Sequence, residues 1–97
     1  MSVAQVLNSS GGTPPPEGAP PEEVQQMTEA TKALDGLEHI YLLGNTQTGE
    51  GQVVIVWRDD AARKAAADHI AADNVKMKDL LGITLTFGPE YDIFAEL

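Results

Sequence analysis

The stretch VVIVWRDDAARKAAADHI spans residues 53–70. It opens with four β-branched residues, ends that run on the chain's only tryptophan, and passes at once into an alanine-rich segment. β-Branched and aromatic side chains fit a pleated, half-buried surface, so residues 52–58 predict a strand. Alternation sends Val53, Ile55 and Trp57 to one face and Val54 and Val56 to the other. Asp59 suits an N-cap, and Asp60 suits the positively polarised first turn behind it. A helix is predicted over residues 61–73, with Ala62, Ala65, Ala66, His69 and Ile70 on its inner stripe. Small residues there let a helix lie close on a sheet. The strand is apolar on both faces, so it needs two covers, and its own helix supplies one.

Working outward, residues 2–8 read as a strand, with Val3, Gln5 and Leu7 on one face. Residues 9–21 are rich in proline and glycine and read as a loop or linker; their consecutive prolines favour an extended path. Residues 21–36 read as a helix with Pro21 at its first position, Val24, Met27, Thr31 and Leu34 on one stripe, and Gly36 as its stop. Residues 37–44 form a strand, and the polar, glycine-bearing residues 45–51 suit a hairpin into residues 52–58. Residues 74–82 add a short helical turn, capped by Asn74 and stopped by Gly82. Residues 83–87 alternate cleanly until Gly88-Pro89 breaks them, and residues 91–97 form a further short strand or arm.

The order is β-α-β-β-α-β with an extra terminal strand. It predicts a single α+β domain over residues 1–97, a ferredoxin-like split β-α-β arrangement with an antiparallel sheet. Two helices cover one sheet face. The other face of an antiparallel sheet normally meets water and is polar. Here it carries Val54 and Val56, and Tyr41 and Leu43 oppose Ile40 and Leu42 in the neighbouring strand. An uncovered apolar face marks an interface. A second copy packed sheet to sheet supplies the cover, so a homodimer through the sheet faces is expected.

Composition narrows the classes. A chain of 97 residues has a thin core, and small domains often gain stability by oligomerising. Cysteine is absent, which excludes disulfides and thiolate metal sites. Six basic residues against fifteen acidic ones, a net charge of −9, cannot build a phosphate-neutralising surface, so neither nucleic acid nor an anionic membrane is expected as partner. The opening residues lack the charged and apolar regions of a secretory signal, and the run 53–57 is too short to span a bilayer. A cytoplasmic location is the expectation. Two histidines without cysteine or an HExxH pattern make no metal motif, and the glycines of residues 44–51 lack the spacing of a phosphate-binding loop. No cofactor is expected.

Residues 21–97 resemble the dimeric α+β-barrel superfamily, and within it the antibiotic-biosynthesis-monooxygenase-like domains. EEVQQMTEATKALDGLEHIYLL (residues 22–43) is similar to that family's first helix, glycine turn and second strand. Residues 53–70 resemble its third strand, which ends in tryptophan before an acidic cap and second helix. The resemblance implies a cofactor-independent monooxygenase, an oxidoreductase acting on a small aromatic or polyketide-like compound that itself activates oxygen. In that family a histidine often follows the tryptophan by about nine or ten positions. Here Ala66 and Ala67 stand there, and His69 comes later.

The candidate site residues follow. Trp57 either lines a pocket between sheet and helices or anchors the strand–helix junction by packing. His69, on the inner stripe, is the candidate general base, or else a satisfied core histidine. His39 and Tyr41 share a strand face, as pocket residues or as a packing pair. Asn8 ends the first strand, where some relatives place a ligand-contacting polar residue. Two functions stand: a monooxygenase-like enzyme, or a non-catalytic dimeric module that binds a small apolar or aromatic molecule or another protein. A closed apolar core around Trp57 would argue against the enzyme.

Overall fold

A computed structural model of the chain describes residues 1–11, 22–45 and 47–97. The elements run β1 (Val3–Gly11), α1 (Glu22–Lys32), β2 (Leu37–Gly44), β3 (Gly51–Trp57), α2 (Asp60–Ala65), α3 (Ala67–Leu81) and β4 (Ile83–Asp92). The strands form one sheet in the order β2-β3-β1-β4, antiparallel throughout. The crossover through α1 leaves a slot between β1 and β2 that β3 fills. The crossover through α2 and α3 leaves a slot between β3 and β4 that β1 fills. This is the expected ferredoxin-like α+β arrangement.

The register assigns the faces. Val3 lies opposite Trp57, Gln5 opposite Ile55 and Leu7 opposite Val53. These pairs look toward the helices, and the core gathers there: Leu7, Ile55 and Trp57 from the sheet, Ala62, Ala66 and Ile70 from the helices. On the opposite face Ala4 pairs with Val56 and Val6 with Val54, flanked by His39 and Tyr41 of β2 and by Tyr91 of β4. Tyr41, Leu43 and Tyr91 are each about half exposed there (49%, 51% and 56%), so this surface is apolar and open to water.

Local chemistry explains the joints. The Asp59 carboxylate accepts from the Ala62 N–H at 2.8 Å and caps α2 as expected. That hydrogen bond holds its carboxyl below the ordinary aspartate range, with a smaller contribution from Arg58. Gly36 turns the chain at φ +79°, and its carbonyl accepts from the Arg58 N–H at 2.6 Å, tying the turn before β2 to the end of β3. Gly82 ends α3 in the left-handed region, its N–H bonded to the Lys78 carbonyl.

Five expectations need correction. The helix expected over residues 61–73 is two helices: the backbone leaves helical geometry at Ala66 (φ −96°, ψ 2°), whose N–H bonds back to Ala62 and Arg63. Asn74 caps nothing, because α3 runs through it to Leu81, carried by good helix formers such as Lys76, Met77, Lys78 and Leu80. Gly88-Pro89 does not end the last strand. β4 is an edge strand, where proline's missing donor costs no ladder bond, and a register shift between the pairs Gln5–Glu90 and Leu7–Phe87 absorbs the irregularity. Tyr91 and Asp92 therefore belong to β4, and the expected extra strand over residues 91–97 does not form; beyond it the Ile93 N–H bonds to the Ser2 carbonyl. The first strand is also longer than expected, pairing through Gly11. The remainder of the expected loop, residues 12–21, lies outside the described residues, as does Pro21 of the expected first helix.

Candidate functional site

Between the sheet and the pair α1 and α3 lies a cavity of about 100 Å³. Its floor is Leu7, Val53 and Ile55 of the sheet, and its roof is Met27 of α1 with Ile70 and Met77 of α3. The helical stripe that places Met27 over the sheet also places Thr28 and Thr31 at the wall, and α3 brings Asp73 and Asn74 to the same wall. Alternation in β1 and β3 aims Leu7, Val53 and Ile55 at it. Binding pockets for drug-sized ligands run to roughly 300–1,000 Å³, whereas an apolar cavity of about 150 Å³ is enough to hold benzene. At about 100 Å³ this space is smaller than that: as it stands it suits a short chain, and one ring needs it to widen. Met27 and Met77 can enlarge it by rotation, since methionine's flexible thioether adapts to irregular gaps.

The polar edge is a cluster of three residues. Thr31 Oγ1 lies 2.5 Å from Asp73 Oδ2, 3.1 Å from His69 Nε2 and 2.9 Å from the Met27 carbonyl. His69 Nε2 is 3.5 Å from the same Asp73 oxygen. A threonine hydroxyl carries one proton. Its shortest contact is to the carboxylate, so it donates to Asp73, and His69 Nε2–H donates to Thr31 Oγ1. Thr31 is buried, and the Asp73 side chain is 13% exposed against 35% for His69. The cluster thus ties α1 to α3 at the cavity wall, with the imidazole on its outer side.

The expected site residues are dispersed. Trp57 is fully buried, its Nε1–H donates to Gln5 Oε1 at 3.0 Å, and it packs with Ala62 and Ala66 without lining the cavity. His69 stands behind Thr31 and Asp73 and is not part of the lining. His39 and Tyr41 stack on the opposite sheet face, ring centroids 5.8 Å apart at 28°. Asn8 is on that face as well. It accepts from Gln52 Nε2 at 3.1 Å and borders an open depression of about 620 Å³ at the ends of β1, β2 and β3. Trp57 and His69 share the helix side of the sheet, while Tyr41, His39 and Asn8 share the other. Sequence reasoning passed over Asp73 and Met77. The i,i+4 spacing of His69 and Asp73 on a helix was the available signal.

Among the described residues, no group of three or more His, Cys, Asp or Glu side chains could hold a metal ion, and no helix is long and apolar enough to cross a membrane.

No family model matches the chain, and no curated protein matches it. Among solved structures, its fold matches that of a candidate antibiotic biosynthesis monooxygenase from Deinococcus radiodurans with a TM-score of 0.60, over 100% of this chain and 96% of that one. The two are 15% identical, so the likeness is one of fold. With the strand order and the helix-covered face described above, this chain has a ferredoxin-like α+β fold, the fold it shares with that Deinococcus radiodurans protein.

Proposed function

We propose that this protein is a homodimer, joined through its open sheet faces, that binds a small, largely apolar compound of about one ring in the cavity beneath α1 and α3. The observation that carries the binding reading is that cavity: apolar floor and roof, with its polar groups confined to one wall. A few polar groups in an apolar recess are what orient a small ligand. The half-exposed Tyr41, Leu43 and Tyr91 on the face that carries Val54 support the dimer. The sealed surroundings of Trp57 favour binding over an enzyme that uses the indole.

A second reading is cofactor-independent oxygenation of the bound compound. It is favoured by one feature, the Asp73 carboxylate on the cavity wall with His69 behind it. There the carboxylate would take a proton from an acidic substrate, and the resulting anion would reduce oxygen.

Titration with toluene or indole, read by the methyl resonances of Met27 and Met77, tests the binding reading. Saturable shifts are expected, and they should vanish in Val53→Phe, whose ring fills the floor. Absence of saturable shifts, or shifts unchanged in Val53→Phe, would refute it. Oxygen uptake with a bound phenolic compound, lost in Asp73→Asn, would select the second reading.

A further inference from the structure

The polar wall of the cavity has a one-sided hydrogen-bonding character. The Thr28 hydroxyl proton is committed to the Val24 carbonyl at 2.8 Å. The Thr31 proton is committed to Asp73 Oδ2. What these side chains leave toward the cavity is lone pairs. Asp73 adds more: both of its contacts, to Thr31 and His69, use Oδ2, and among the described residues Oδ1 has no partner. Asn74 contributes an amide that can serve either way. Among the described residues, Asp73 is the one ionisable side chain in the lining. Among the described residues no lysine or arginine is paired with it, and His69 Nε2, which donates to Thr31, lies 3.5 Å from Oδ2 rather than on Oδ1.

The geometry points to an occupant with an apolar ring or chain and a protonated amine, the ammonium donating to Asp73 Oδ1 while the apolar part rests against Leu7, Val53 and Met77. This inference rests on the cavity reading above and adds the chemical class of the ligand. The Asp73 side chain is only 13% exposed, and its unpaired Oδ1, which still reaches solvent, is free to take a cationic donor; hydrogen bonds with both partners charged are short and strong. A carboxylate ligand would instead meet like charge and a wall without free donors other than Asn74. The molecule's net charge of −9 reinforces the choice by drawing cations toward it and repelling anions.

Benzylamine, benzyl alcohol and benzoate share one ring and differ in the head, so titrating all three separates the two claims. Benzylamine should bind about tenfold or more tighter than benzyl alcohol, the gain typical of a charged hydrogen bond, and benzoate should bind weakest. In Asp73→Asn the preference for the amine over the alcohol should shrink to within about twofold. A second measurement in the unaltered protein does not depend on that variant folding: the Asp73 carboxyl carbon resonance should move on adding benzylamine and stay put with benzyl alcohol. Equal binding of amine and alcohol, a preference that survives in Asp73→Asn, or an unmoved Asp73 carboxyl would overturn the ammonium assignment and leave the cavity reading standing. Failure of all three compounds to bind would overturn both.

Discussion

Trp57 and Gln5 offer the sharpest test of how the centre of the molecule is held. Both are buried, and the indole N–H meets the Gln5 amide oxygen at 3.0 Å. Trp57→Phe removes the donor and leaves that oxygen buried and unpaired, at about 1–3 kcal/mol. The lost part of the ring adds a packing penalty on the order of 1–2 kcal/mol. Gln5→Leu removes the acceptor and leaves the indole N–H unpaired, again at about 1–3 kcal/mol, partly offset by apolar burial. The double variant leaves neither group stranded. It should therefore cost less than the sum of the single changes, by about 1–2 kcal/mol. Urea unfolding followed by far-UV circular dichroism measures all four proteins; tryptophan fluorescence cannot, because Trp57 is the only tryptophan. Protein concentration must be matched, since association would shift every midpoint. Additivity within about 0.5 kcal/mol would show that the two side chains are not energetically coupled and would refute the reasoning.

On the open face, Val54→Asp places a charge between Val6 and Tyr41, and it should dissociate and destabilise the protein together. Sedimentation of the parent as a monomer at micromolar concentration, with unaltered stability on dilution, would dispose of the dimer. Gly36→Ala must adopt φ +79° and bring its Cβ to 2.5 Å from that of buried Ala62, so a loss of at least about 2 kcal/mol is expected. Gly49→Ala has similar φ (+76°) but open space around it, so it should cost only the backbone strain; equal losses at the two sites would refute the clash. Asp59→Ala should lower the melting temperature at neutral pH. The Ala62 N–H depresses the native pKa of Asp59 below its ordinary 3.8, so the cap's contribution is present above that value and fades as pH falls through the lowered native one. Parent and variant should then converge in acid; a difference that persists there would show that the lost stability was packing.

Much of this architecture is local, and so it is legible in the chain. The alternation of residues 53–57 sets a strand with two apolar faces, Asp59 starts a helix behind it, and Gly82 ends α3 where a left-handed backbone is needed; Gly36, expected to stop the first helix, instead makes the turn into β2, since α1 already ends at Lys32. These signals have periods of two or 3.6 residues, or they sit at single positions, and they need no knowledge of distant neighbours. Their order alone leads to the ferredoxin-like sheet. Other features depended on partners far along the chain. β4 continues through Gly88-Pro89 because pairing with β1 outweighs the local break, and the sheet edge has no need of proline's donor. The candidate site was least legible. Thr31 meets Asp73 across 42 residues, and Trp57 is shut away from the cavity by the seating of Ala62 and Ala66. A cavity is what remains when two layers fail to fill the space between them. Its walls come from β1, α1, β3 and α3 at once, so no single stretch of sequence carries it, and only the packed tertiary structure decides which side chains surround it.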